Sequence, residues 1–322
     1  LNELQTPFRL GTREIFTSAS IGIAMVDPHY RQPEELLRDA DAAMYNAKDG
    51  GRHRVALFDD RLRREALSQL RMEGDLRHAL ARREFVPFYQ PIVSLADGHV
   101  AGYEALLRWN HPERGLMLPQ DFLLIAEEAG CAEAIDWLIF EQVCAQATQL
   151  LGDKGTISIN VSGLHFRHPD FDVRLLALLE KHHVPPSRIR VEVIERTLLD
   201  NPAQVKQMLQ NLRQKGMGIA LDDFGTGYSS LSYLHQYPFD ALKIDRSFVT
   251  ELDSDRNDQG AAVIRAIQVL ADALGMQVIA EGIENAAQQQ ALIELGCRYG
   301  QGFLYARGQS AEYWLRPENH LP

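Results

Sequence analysis

MGIALDDFGTGYSSL, residues 217–231, runs apolar for five positions, sets Asp222 and Asp223 side by side, and then turns on two glycines among hydroxyl side chains. A continuous apolar run followed by a helical stretch reads as a parallel strand buried on both faces. The pattern recurs along the chain, each time with a polar residue at or just past the end of the run. These residues are Glu104 after VAGY, Asn160 after TISI, Glu192 after IRV, Lys243 after FDAL and Glu281 after MQVIA. When such strands share one sheet or barrel, their carboxyl ends converge on one face, where α/β enzymes keep their chemistry. Carboxylates and an amide oxygen gathered there repel one another unless hard cations bind between them. The pattern predicts a metal-dependent enzyme.

Working outward, apolar runs fall at 85–93, 99–106, 156–161, 189–194, 217–222, 239–244, 276–280 and 301–305. Helical stretches such as DFLLIAEEAG, AQVKQMLQNLRQKG and AAVIRAIQVLADALG separate them. Repeated βα units predict a parallel sheet, and about eight strands predict closure as a (β/α)8 TIM-like barrel. The first two runs flank the turn LADGH and read as a hairpin, so the barrel starts with an antiparallel strand. Within a regular strand, Asp222 and Asp223 would point to opposite faces. Both serve one site if the strand has ended there, with Phe-Gly-Thr-Gly supplying the bend. Taken alone, the pair reads equally as a turn or helix cap.

Three parts follow. Residues 85–322 form the barrel. Residues 61–84 carry leucines at helical spacing with charges between them, and read as a linker helix with a solvated charged face. Residues 1–60 hold a strand over 13–26, a helix opening at Pro33 with early acids and closing at Gly50, and a short strand in RHRVALF. One strand, one helix and one strand cannot bury a core alone, so this part reads as the remnant of a larger domain.

The chain has 322 residues, 45% of them hydrophobic, and a net charge of -11. The acidic balance argues against binding a nucleic-acid duplex or anionic lipid through a basic surface. A negatively charged substrate would need metal ions to neutralise it locally. Cys131, Cys144 and Cys297 fit no zinc spacing, and their odd, sparse count suits a reducing cytoplasm. No apolar run approaches ~20 residues, so no membrane contact is expected from this segment, although a longer parent could be membrane-attached.

FVPFYQPIVSL, YEALLRWNHP, ISINVSG, VEVIER, LDDFGTGYSSL, LKIDRSFV, VIAEGIE and YGQGF occur in this order. Together they resemble an EAL-domain phosphodiesterase, the bacterial class that hydrolyses cyclic di-GMP, over roughly residues 68–308. TSASIGIA and LLRDADAAMYNAKDGGRHRV resemble the C-terminal end of a GGDEF, diguanylate cyclase-like, domain whose signature loop is absent. The resemblance implies a piece of a tandem GGDEF–EAL protein without cyclase activity in this chain.

It further implies two Mg²⁺ or Mn²⁺ ions that activate a water, with pGpG as product. Glu104, Asn160, Glu192 and Asp222 would hold one ion, and Asp223, sharing Asp222, the second. Glu104 and Glu281 would join Lys243 in the catalytic water network. Lys243 would orient the hydroxide and stabilise charge on phosphorus; otherwise it is a structural partner of Asp245 or Glu281. Arg108 would meet a phosphate, or else an acid such as Glu128. Gln301 would sit at the site floor and Gln90 near the substrate at its mouth, unless both only bond backbone. Asn160 is expected to be buried, and costly without a partner. Glu195 would steady the DDFGTGYSSL loop, and Glu284 would bond neighbouring loops. A homodimer through the helix after that loop is implied as well. Two departures stand out: Ile194 where the family has Thr, and Gly308-Gln309-Ser310 where it has a proline-containing stretch.

Two other functions are open to such a chain. One is a receptor that binds cyclic di-GMP without cutting it. The other is a scaffold, which the unpaired strand-end acids disfavour.

Overall fold

The computed structural model describes residues 1, 8–10, 13–15, 17–26, 30–152, 155–199, 201–225, 234, 236–253 and 257–321. It divides into two compact units, Leu1–His78 and Ala79–Pro322.

In the first unit Phe8–Leu10 (β1) pairs antiparallel with Arg13–Ile15 (β2), and Ile21–Ile23 (β3) pairs parallel with Val55–Leu57 (β4). The single strand expected over 13–26 is thus two short strands with different partners, parted by the polar stretch Thr17–Ser20. The helix Pro33–Asp49 connects β3 to β4, with Glu34 and Glu35 in its first turn and Lys48 in its last, each matching the helix dipole. Gly22 permits its close approach, because a Cβ there would collide with the backbone of Ala40 and Met44. A long helix follows at Asp60–Arg82.

The second unit is built on Phe85–Ser94 (β5), Val100–His111 (β6), Gly115–Met117 (β7), Thr156–Asn160 (β8), Ile189–Ile194 (β9), Gly218–Phe224 (β10), Ala241–Ile244 (β11), Gln277–Ala280 (β12) and Tyr299–Gly300 (β13). Its sheet runs β5-β13-β12-β11-β10-β9-β8-β6-β7, and pairing of β5 with β6 closes eight strands into a barrel. β5 runs antiparallel to both its neighbours, as the hairpin reading predicts, and the remaining barrel pairings are parallel. β5 tolerates Pro87 and Pro91 for a reason of register. Tyr89, midway between them, directs its N–H away from β6, to Gln309 O at 2.6 Å, so the missing proline N–H groups remove no bond to β6.

Inside the barrel Ile92, Ala220, Ala241 and Ile279 pack together. The helix Ala132–Leu151 presents Ile135, Ile139, Val143, Cys144 and Ala147 to the core at i, i+4 spacing. Each fully buried Ile or Val contributes about 1.5–3 kcal/mol.

Strands β6, β10 and β13 differ from expectation. β6 continues to His111, because beyond the barrel rim β5 and β7 still supply partners on either side. The last strand lies at Tyr299–Gly300, before the run 301–305 expected to form it. Those residues turn instead: Leu304 N–H reaches Ile283 O at 2.9 Å, and a Cβ on Gly302 would strike the Ile283 backbone.

Candidate active site

Lys243 lies in the short strand β11, whose four residues are all buried. Alternation along the strand sends Lys243 to the face opposite Leu242 and Ile244. Its side chain is 1% exposed, and its ammonium nitrogen stands 2.6 Å from Glu192 Oε2, 2.6 Å from Glu281 Oε1, 3.1 Å from Glu104 Oε2 and 3.3 Å from Asp222 Oδ1. Five strand ends or rims of the barrel therefore deliver one cation and four acids to one point. Of the structural partners considered for Lys243, Glu281 is paired with it, whereas Asp245 accepts from Ser247 N–H at 3.0 Å and caps a helix.

Amides tie this centre together. Gln301 donates through Nε2 to Glu104 Oε2 at 2.6 Å and to Glu281 Oε1 at 3.3 Å. Asn160 donates to Glu104 Oε1 at 2.8 Å. Asn160 is exposed rather than buried, because it is the last residue of β8 and opens to solvent. Glu104, by contrast, is buried within β6 rather than at its end; its register partner on β8 is Ser158.

The adjacent aspartates reach the same region by a bulge. β10 runs on to Phe224, so the strand has not ended as the sequence suggested. Its register against β11 passes from Leu221↔Leu242 to Phe224↔Ile244, three residues opposite two. Asp223 takes up the extra residue with φ 54°, and its N–H donates to Asp222 Oδ1 at 3.0 Å. Carboxylate oxygens of Asp222, Asp223 and Glu281 consequently lie within 4.8 Å of one another.

The electrostatics follow from burial and the single cation. Burial alone would lower the Lys243 pKa, but Glu104, Glu192, Glu281 and Asp222 outweigh it and hold it well above its ordinary value. Burial acts to raise Glu104 too, yet the Lys243 charge and hydrogen bonds from Gln301 and Asn160 bring it below the usual range. Burial wins at Glu192, pushed up to about 7, and at Glu281, pushed up to about 8. Asp223 is raised by burial and then by the charge of Asp222. Glu192 Oε1 and Gln301 Oε1 are buried and have no hydrogen-bond partner among the described residues. An orphaned carboxylate oxygen beside a knot of further acids fits hard, oxygen-seeking cations such as Mg²⁺ or Mn²⁺.

Other predicted residues lie further out. Gln90 donates to Ala306 O at 3.1 Å, tying β5 to the closing loop. Arg108 is half-buried, with Nη1 on Leu107 O at 2.7 Å and its guanidinium 5.9 Å from the Phe88 ring; among the described residues no carboxylate pairs with it. β9 stops at Ile194, and Glu195 opens a 3₁₀ turn. Glu284 is exposed, and its N–H donates to Gln288 Oε1 at 2.7 Å. Residues 226–233 and 235, which hold most of the DDFGTGYSSL loop and the start of the expected dimer helix, lie outside the described residues. Sequence reading missed Phe303, 53% exposed two residues past Gln301, with the Arg307 guanidinium 4.0 Å above its ring. The available signal was an aromatic in a glycine-bounded turn beside a presumed site residue.

A closed α/β barrel with its acids, one lysine and two amides gathered at the carboxyl ends of its strands defines a TIM-type barrel with an acidic centre. The chain belongs to the EAL-domain family, which matches residues 73–308, and the diguanylate cyclase GGDEF-domain family matches residues 1–54. It is 40% identical to the bifunctional diguanylate cyclase/cyclic di-GMP phosphodiesterase MucR of Pseudomonas aeruginosa, over 98% of this chain and 46% of that protein. It is 37% identical to the cyclic di-GMP phosphodiesterase PdeR of Escherichia coli, over 98% of this chain and 48% of that protein. The chain thus spans about half the length of these relatives. The structure of MucR phosphodiesterase in complex with cyclic di-GMP superimposes with a TM-score of 0.70, covering 75% of this chain and 98% of that one at 40% identity. The calcium and cyclic di-GMP complex of Klebsiella pneumoniae BlrP1 does so with a TM-score of 0.62 at 30% identity, covering 70% of this chain and 56% of that one. Among the described residues, no helix is long and apolar enough to cross a membrane.

Proposed function

We propose that this chain is a metal-dependent phosphodiesterase that opens cyclic di-GMP to linear 5'-pGpG. The observation that carries the reading is the meeting of Asp222, Asp223 and Glu281 beside the Lys243 centre, in a chain of the EAL-domain family. Two ions, Mg²⁺ or Mn²⁺, would supply charge neutralisation of the phosphodiester and a water of lowered pKa. Glu104, Asn160, Glu192, Asp222, Asp223 and Glu281 would hold them, with Asp222 shared.

The chain's own groups account for the rest. Lys243 stays protonated and so serves as a fixed positive charge for the developing phosphorane, not as the base. Glu281, less buried than Glu192 and ionised once metal displaces its own proton, takes the proton of the attacking water. The water oxygen joins phosphorus, the bond to the 3' oxygen breaks, and that oxygen leaves with the proton Glu281 took up. Arg108, unpaired with any described acid, receives a phosphate oxygen. Phe303, backed by Arg307, offers an exposed ring face to a guanine base. The same reading includes a homodimer through the segment after the DDFGTGYSSL loop and Glu195 as that loop's support, which rest on the family resemblance, and a cytoplasmic setting, which rests on the odd, sparse cysteines.

Incubation with cyclic di-GMP and Mn²⁺, with and without EDTA, followed by chromatography tests it. Metal-dependent appearance of pGpG is expected. Bound but uncut cyclic di-GMP in the presence of metal would make the chain a receptor instead.

A further inference from the structure

Lys243 makes four ion pairs from one buried nitrogen, which is more than a general electrostatic helper needs. Two of its partners, Asp222 and Glu281, are also two of the three residues whose oxygens converge as a cation site. We propose that the Lys243 ammonium is the resident counter-ion of the acidic centre and competes with divalent metal for it. This inference rests on the reading of Asp222, Asp223 and Glu281 as metal ligands.

The physical argument is one of shared charge. Acids packed this closely, with Glu192 fully enclosed, destabilise a folded chain unless a cation stands among them. Lys243 supplies that cation covalently, so the barrel does not depend on metal to stay folded. The same charge opposes a divalent ion entering within a few ångströms of it, and the carboxylates the ion requires must loosen their pairs with Lys243. Metal affinity is thereby held below what the acids alone would give, and metal-free stability is held above it. The partly buried Asp222 and Glu281, at 13% and 17% side-chain exposure, are the two pairs within reach of exchange, whereas Glu192, at 0%, keeps its pair through Oε2 and has only Oε1, unpartnered among the described residues, to offer an ion.

The test is calorimetric titration of Mn²⁺ into the full chain and into Lys243→Met and Lys243→Gln, with melting temperatures measured without and with saturating Mn²⁺. Removing the charge is expected to tighten Mn²⁺ binding by roughly tenfold or more. It should also lower the metal-free melting temperature and enlarge the rise that Mn²⁺ produces. Mn²⁺ affinity equal to or weaker than wild type in folded variants would overturn the competition while leaving the metal reading intact. Failure of wild type and variants alike to take up Mn²⁺ would overturn both. If neither variant folds without metal, the Lys243 ammonium resonance of the wild-type chain decides. It should shift as Mg²⁺ fills the site, and a resonance unmoved at saturation would overturn the inference.

Discussion

Gln301 donates through its side-chain nitrogen to Glu104 Oε2 at 2.6 Å, joining the turn after the last barrel strand to the second strand. The amide fixes which way a buried carboxylate faces, and its own oxygen is left without a partner among the described residues. Gln301→Ala should therefore lower kcat by about 10–100-fold, the range found when a group orienting a metal ligand is lost. Gln301→Glu should be worse, because it brings another acid to the Lys243 centre. Steady-state hydrolysis by both variants checks the order, and a Gln301→Glu enzyme faster than Gln301→Ala would contradict it.

Glu104→Ala and Asp222→Ala should each abolish hydrolysis while leaving the circular dichroism spectrum unchanged. Either variant turning over near the wild-type rate would remove that residue from the ligand set.

Asp223 combines a ligand role with a left-handed backbone, and two substitutions separate these. Asp223→Asn keeps a side chain that tolerates φ 54°, so it should lose activity with little loss of stability. Asp223→Val should in addition destabilise the fold by about 1–2 kcal/mol, the penalty for a branched side chain in that conformation. Urea denaturation of the pair measures the difference, and equal midpoints would rule out strain at the bulge.

The metal-free acids give a signed pH dependence. Glu192 is pushed up to about 7 and Glu281 to about 8, whereas an unfolded Glu titrates near ~4.3. A carboxyl with a raised folded pKa contributes stability that is complete below its unfolded pKa and lost as pH rises through the folded one. From these two groups the metal-free chain should thus lose stability from about pH 4 to pH 8. Because metal takes the place of those protons, the rise in melting temperature caused by Mn²⁺ should be larger near pH 8.5 than near pH 6. An equal rise at both would contradict the assignment.

Chelation itself should leave the fold in place, since Lys243 already stands among the acids. Loss of the circular dichroism signal on adding EDTA would instead mark the metals as structural.

Much of this site was legible because the signal for a buried strand and the signal for its functional end are adjacent in the chain. IRV leading into Glu192 and FDAL leading into Lys243 each state both, and the βα repeat supplies the closure that brings them together. What escaped the sequence depends on partners distant in the chain. The bulge at Asp222–Asp223 is a register shift against β11, invisible in a single segment. The length of β6 depends on β5 and β7 flanking it past the rim. Asn160 looked buried because its neighbours are apolar, but its position at the very end of β8 decides otherwise. The last strand was placed too late because GQGFLY is apolar, while the Gly302–Ile283 approach that forces a turn is a tertiary contact.

The central claim is that water held at this acidic centre attacks phosphorus of cyclic di-GMP. Hydrolysis by the full chain with Mn²⁺ in ¹⁸O-labelled water, read by mass spectrometry, addresses it directly. One ¹⁸O in the 5'-phosphate of pGpG from a single turnover is the predicted result. Unlabelled pGpG, or cyclic di-GMP recovered intact, would contradict the account.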